Sequence, residues 1–259
     1  MCGRVPPSMI YAGMEKDTII TLEDGKRYVL ADGMYYQGDD YYLAMGVDEK
    51  DNIIPDDIAL LKEDFLEREL EGESYVSCVE DAALTARLVR IFRAREDFEF
   101  RNVRPDEAEK TNAIEQACFP PNEACPENCM YDRTRYASDM FLVAVDKKTG
   151  EIAGFLNGIA TNESTFRDEF FLDISLYDPK GTNVMLCGLD VLPEYRRRGL
   201  ASAIVAAYIE RERANGRTSL ILTCLDFRIP MYQEMGFEDK GISGSSWGGE
   251  EWHDMVYYL

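Results

Sequence analysis

Residues 184–201 read VMLCGLDVLPEYRRRGLA, and the reading of this stretch decides the fold. Val184 to Val191 is an apolar run of strand length with β-branched ends. Pro193 ends the pairing, because it has no N–H to give to a ladder. A basic turn follows, Arg196-Arg197-Arg198-Gly199, and then an amphipathic run from Ala201 to Ala214. The order is therefore strand, glycine-containing turn, helix N-terminus. The first N–H groups of a helix have no partner within it, and the helix dipole puts partial positive charge there. A diphosphate docks on such a site through backbone groups alone. Gly199 lets the backbone approach a phosphate, Ala201 keeps the way clear, and the arginines add positive potential in a chain of formal net charge −21. The same residues also describe an ordinary β–α connection with a basic turn. No second glycine or Lys-Ser/Thr pair makes the turn a nucleotide P-loop.

The sequence downstream narrows the choice. A strand pattern, Leu220 to Leu225, leads into Ile229-Pro-Met-Tyr232-Gln-Glu-Met-Gly236-Phe237. Arg196-x-x-Gly199-x-Ala201 resembles the Gln/Arg-x-x-Gly-x-Gly/Ala motif of the GNAT N-acetyltransferases, and Tyr232-x-x-x-Gly236-Phe237 resembles that family's second signature. Cys224-x-Asp226 and Pro230-Met-Tyr232-Gln are similar to the arylalkylamine (serotonin) N-acetyltransferase branch. The resemblance covers residues 98–259. It implies an α+β fold with a mixed, splayed central sheet flanked by helices, and acetyl-CoA as co-substrate. It also implies that Arg196, Arg197, Arg198, Gly199, Leu200, Ala201 and Ser202 hold the coenzyme's pyrophosphate. Leu189, Asp190 and Val191 would pair with the pantetheine arm as an added strand.

Acetyl transfer to an amine needs a polarised thioester carbonyl, a neutral amine and a proton for the leaving thiolate. By resemblance Tyr232 is the general acid beside the coenzyme sulfur. The serotonin enzymes of vertebrates carry a His-x-His pair on the central strand. This chain has Met185 and Cys187 there, and Cys187 could serve only as a thiolate of lowered pKa. The candidate base is instead Glu123, in Phe119-Pro-Pro-Asn-Glu123-Ala124, where insect relatives place a glutamate. The single histidine, His253, reads as a strand residue. Phe119, Pro120, Pro121, Tyr131 and Trp247 are either walls of an acceptor pocket or core.

Composition bounds the rest. A chain of 259 residues holds one large domain or two small ones, and 46% hydrophobic residues suffice for a core. A pI of about 4.4 argues against nucleic acid and anionic membranes and favours cationic small molecules or basic proteins as partners, simple solubility being the plainer reading. No apolar run approaches the roughly 20 residues that cross a bilayer. Residues 1–7 lack a signal peptide's apolar region, so a cytoplasmic protein is expected. The seven cysteines are an odd number and fit reduced thiols. Cys125 and Cys129 have no second pair at ligand spacing, so no metal is expected.

Three segments are expected along the chain: a mobile lead-in at 1–14, a small β-rich domain at 15–95 closed by a helix, and the transferase domain at 96–259. Ile19–Leu22 and Lys26–Leu30 flank Glu23-Asp24-Gly25 as a hairpin. Residues 56–66 fit a strand or a helical turn. Apolar residues at 84, 88, 91 and 92 have helical spacing. This part resembles a short bacterial domain of unknown function through Ile20-Thr-Leu-Glu-Asp-Gly25, Tyr41-Tyr-Leu43 and Leu88-Val-Arg-Ile-Phe92. Beyond it the pattern reads β–α–α–β–β–β–α–β–α–β. Asp106 is expected to cap the first helix of the second domain, and a glycine- and serine-rich loop, 241–249, precedes a last strand at 252–259. The competing reading is a non-catalytic acyl-CoA-binding regulator whose N-terminal domain binds a partner.

Overall fold

The computed structural model describes residues 2–4, 15–65 and 74–259, which divide into two compact units, Met1–Phe92 and Arg93–Leu259. Strands in which buried residues alternate with more exposed ones over part of their length build the first unit. Its six strands are β1 (Cys2–Arg4), β2 (Ile19–Thr21), β3 (Arg27–Tyr36), β4 (Asp39–Val47), β5 (Ile53–Phe65) and β6 (Ser74–Cys78). They form one sheet in the order β1-β6-β5-β4-β3-β2, every pair antiparallel. Gly25, at φ 83°, makes the β2–β3 turn. Ile20, Tyr28, Leu30, Tyr42, Ala44, Leu61 and Val76 are its buried core. Within it the Tyr42 hydroxyl donates to Glu63 Oε2 at 2.7 Å, so neither polar group is buried alone.

Two expectations change here and an open one is decided. Residues 2–4 of the lead-in pair with β6 as a strand, while 5–14 lie outside the described residues. The ambiguous stretch around residues 56–65 is strand, because β4 on one side and β6 on the other take up its backbone groups. The strand expected at Lys26–Leu30 runs on to Tyr36, with a bulge between Leu30 and Asp32. The helix α1 (Ala82–Asp97) follows, and the boundary between the units falls inside it.

The second unit contains β7 (Phe98–Asn102), α2 (Ala108–Cys118), α3 (Glu127–Tyr136), β8 (Phe141–Asp146), β9 (Ile152–Thr161), β10 (Asn183–Val191), α4 (Leu200–Ala214), β11 (Ser219–Cys224), α5 (Ile229–Glu234), β12 (Glu238–Ile242) and β13 (His253–Tyr258). Its sheet runs β12-β13-β11-β10-β9-β8-β7 and is mixed, with β10 and β11 the parallel pair. Helices α2 and α4 lie against β9 and β10. Every residue of β9 is buried, as expected of a strand covered on both faces. Phe141, Phe155, Ile114, Met130 and Val143 fill one core cluster, and Phe166, Phe170, Ile159, Met185 and Ile221 another.

Asp106 does not cap α2. It is exposed in a 3-10 turn, Pro105–Glu107, and the next residue does the work. Glu107 accepts the Arg104 N–H at 2.8 Å and pairs with Arg101 at 2.6 Å. Burial opposes its charge, but these bonds win and hold its pKa below the ordinary value. Strand β12 was not expected: its sequence, EDKGI, is polar because it is an exposed edge. The loop before β13 is anchored rather than loose. Ser245 and Ser246 bond Asp168, and Trp247 stacks on Phe171 at 4.9 Å.

Gly154 marks where β9 and β10 touch most closely. A Cβ there would stand 2.3 Å from the Asp190 carbonyl oxygen. Gly154→Ala therefore pushes β10 off β9 and is expected to destabilise the fold by about 1–3 kcal/mol. Urea unfolding would show this as a lower midpoint.

Candidate functional site

Strands β10 and β11 pair for three residues only, Asn183–Ser219, Val184–Leu220 and Met185–Ile221. Beyond Met185 they part. Each stays anchored on its outer side, β10 to β9 as far as Val191–Gly154, and β11 to β13 as far as Cys224–His253. The result is a wedge between two facing strand edges. Leu189, Asp190 and Val191 lie on its β10 wall. An extended chain entering it can bond the β10 edge as an added strand would.

The basic turn closes one end. Arg196 donates its Nε–H to the Val191 carbonyl at 2.8 Å, tying the turn to the strand. Arg197 and Gly199 both have left-handed backbone, φ 65° and 83°. Residues alternating in this way turn successive N–H groups into one concavity, an anion-binding nest. Gly199 is the N-cap of α4 and offers no side chain, so the N–H groups of Leu200, Ala201 and Ser202 are left to an external acceptor. The non-glycine Arg197 costs on the order of 1 kcal/mol to hold there.

Tyr232 stands on α5, half-buried, its ring edge-on to Phe237 at 5.6 Å. Burial, then the charges of Cys224 and Asp190, raise its phenol well above the usual value, so at neutral pH it keeps its proton. Glu123 is half-buried at the turn between α2 and α3. Burial and Glu250 raise its pKa, and Arg228 works against them. Its carbonyl accepts the Trp247 indole N–H at 2.7 Å, and Asn122 Nδ2 donates to Gly248 O at 3.0 Å. The glycine- and serine-rich loop is thus fastened beside Glu123.

Several sequence candidates separate. Met185 is core. Cys187 lies against Phe170 O and Met185 O, and burial raises its thiol, so the thiolate is disfavoured. Burial likewise pushes the Cys125 thiol up to about 12, and Cys125 and Cys129 direct their thiols at backbone carbonyls. Among the described residues no cluster of metal ligands occurs. His253 is a ladder residue held by Asp239 at 3.1 Å. Trp247 and Phe119 are half-buried, Pro120 and Pro121 exposed. Tyr131 is exposed beside Glu127 and Glu109 and does not join Trp247.

Three buried polar residues escaped the sequence reading. Arg133 of α3 donates to Asn157 Oδ1 at 3.0 Å and to the Phe171 carbonyl at 2.8 Å. Asn157 lies in the middle of β9. Glu115 of α2 accepts the Cys125 N–H at 2.8 Å and faces Asp190. A signal for Glu115 existed: with Thr111, Ile114 and Cys118 it falls on one helical stripe, a carboxylate among residues that face inward.

Comparison with known proteins agrees with this geometry. A family model described as the acetyltransferase (GNAT) family matches residues 108–237. Among solved structures, the loading GNATL domain of CurA from Lyngbya majuscula superposes with a TM-score of 0.54 at 12% identity, covering 62% of this chain and 97% of that one. A GphF GNAT-like decarboxylase in complex with isobutyryl-CoA gives 0.51 at 16%, covering 62% and 98%. No curated protein matches the sequence. At these identities the structures show a shared fold, and it is the family model, spanning half of the sequence, that shows the relationship: the chain belongs to the GNAT acetyltransferase family.

Proposed function

We propose that the chain moves an acetyl group from acetyl-CoA to a primary amine by direct attack, with a small arylalkylamine-like acceptor favoured. The observation that carries this reading is the wedge between β10 and β11, with an anion nest at one end and the protonated phenol of Tyr232 beside it. In it, residues 196–202 bind the pyrophosphate, and the edge at Leu189, Asp190 and Val191 bonds the pantetheine arm. Backbone N–H groups of that edge polarise the thioester carbonyl. Tyr232 gives its proton to the leaving thiolate. Glu123 meets the cationic amine at the rim and takes the proton that must leave before nitrogen can attack. A solved structure of the same fold that holds isobutyryl-CoA is in keeping with an acyl-CoA in this place.

The chemistry is assigned to residues 96–259, and the domain at 15–95 keeps its resemblance to the small bacterial domain with no reaction attached. No helix among the described residues is long and apolar enough to cross a membrane; a cytoplasmic setting remains our reading of the composition. The lack of histidines at 185 and 187 favours the second reading, a regulator that binds acyl-CoA without turnover.

Thiol release from acetyl-CoA, measured against tyramine, tryptamine, spermidine and a lysine peptide, separates the two. Turnover with one class is expected; tight binding with none supports the regulator. In the active case Tyr232→Phe should lower kcat about a hundredfold while leaving acetyl-CoA binding in place. Glu123→Gln should lower kcat/KM at neutral pH, with the defect shrinking as pH rises past the pKa of the amine, since a neutral amine no longer needs that base. A pH-independent defect would count against Glu123 in this role.

A further inference from the structure

Behind the β10 wall lies a polar cluster with no partner for its outer atoms. Asp190, Glu115 and Asn157 are 1%, 2% and 0% exposed. Among the described residues both Asp190 oxygens, Glu115 Oε2 and Asn157 Nδ2 have no hydrogen-bond partner while the carboxyls are ionised, and the groups beside Asp190 are the Glu115 carboxyl and the Cys118 thiol. Buried polar atoms are ordinarily satisfied, and leaving one unpaired costs roughly 1–3 kcal/mol. These atoms share a direction. A Cβ built on Gly188 would lie 3.1 Å from Asn157 Nδ2, 3.2 Å from Asp190 Oδ2 and 3.4 Å from Glu115 Oε2. Gly188 follows the bulge at Cys187, and the three atoms crowd the side of it where a side chain would stand. Together they present one donor and two acceptors, the partner set of a single water.

Two facing carboxyls can bond each other, or share a water, only if a proton lies between them. The surroundings agree. Burial and the Glu115 charge raise Asp190 well above the carboxylate range. Burial raises Glu115 too, although the Cys125 N–H and Arg133 restrain it. The other groups facing the pair are Arg196 from the turn after β10, Cys118 from α2 and Tyr232 from α5. Burial and the Asp190 charge push the Cys118 thiol up to about 11, so Cys118 adds no charge of its own. Cys187, with its raised thiol, adds none either.

We propose that Glu115 and Asp190 hold one proton between them and, through a water seated over Gly188 and Asn157, accept the proton released by the amine nitrogen once it has attacked the thioester. This rests on the acyl-transfer reading above. The amine nitrogen loses two protons in all. The first goes to Glu123 before attack. The nitrogen lone pair then forms the C–N bond, and the second proton leaves the cationic nitrogen of the intermediate for the Glu115 carboxylate. The C–S bond breaks with its electron pair on sulfur, and sulfur takes the Tyr232 proton. Solvent reprotonates Tyr232 and receives the protons from Glu123 and the pair. The net yield is amide, free thiol and one proton.

The test joins kinetics to a readout independent of turnover. Asp190→Asn, Glu115→Gln and Gly188→Ala are compared with wild type and Glu123→Gln in thiol release across pH, using the amine that wild type accepts. A kcat about a hundredfold lower in Asp190→Asn and Glu115→Gln is expected, with KM for acetyl-CoA unchanged. Unlike the Glu123→Gln defect, theirs persists above the pKa of the amine. Infrared difference spectra of the wild type at neutral pH are expected to carry the carbonyl band of a protonated carboxyl that Asp190→Asn lacks. Because the folded pair keeps a proton that the unfolded chain has released, wild-type stability falls as pH rises through the raised pKa, and Asp190→Asn flattens that fall. Variants that keep the wild-type rate and pH profile, or a wild type without the band, overturn the proposal. A wild type that releases no thiol with any amine overturns the acyl-transfer reading and the pair's part in it, while the band still decides whether the pair holds a proton.

Discussion

The second unit depends on a ladder that stops. After three paired residues the parallel strands β10 and β11 separate, although each keeps its outer neighbour for several residues more. Hydrogen-bonding groups at the edge of a sheet seek partners. Here the edges face each other inside the sheet, walled by helices, and not out at its rim. The bulge at Cys187 contributes by bending β10 just where its parallel pairing ends. Gly154 contributes by letting β9 follow the bent strand at a distance no side chain would permit.

The separation has a cost in burial that the surrounding elements manage with polar groups. Arg133, fully enclosed, spends its guanidinium on Asn157 and on the carbonyls of Phe170 and Phe171, so the aromatic segment between β9 and β10 is fixed to α3. Arg196 fixes the turn after β10 to the strand itself. Trp247 joins the loop before β13 to the α2–α3 turn. Apart from the Arg133–Asn157 pair, each contact bonds a charged or aromatic donor to a backbone carbonyl, which is how irregular chain is kept in one conformation without a ladder of its own.

Much of this was legible in the sequence where the signal was local. The strand, turn and helix from Val184 to Ala214 are contiguous, so period and turn chemistry read them directly. Tyr232 was placed by a short motif. What escaped had its reason elsewhere in the chain. Strand β12 is polar because it lies at the edge, and an edge cannot be told from a loop by hydropathy. The cap passed from Asp106 to Glu107 because Arg101, on a neighbouring strand, rewards the buried carboxylate. Asn157 and Arg133 are ordinary polar residues until the fold buries them against each other. Residues 56–65 showed no clear period because hydropathy and burial disagree there: Ile58 is exposed and Glu63 is buried.

The position of β13 has a bearing on how the molecule comes together. It pairs along the whole length of β11 and separates it from β12, which precedes it in the chain. Until β13 docks, β11 is held by three residues of β10, and the far wall of the wedge has no fixed course. Both pairings of β11 are distant in sequence, Asn183 with Ser219 and Cys224 with His253, and each must meet the entropy of its intervening loop. The wedge accordingly has both walls only when both pairings are made: a chain that ends before β13 retains the α4 turn and lacks the support of the opposing wall.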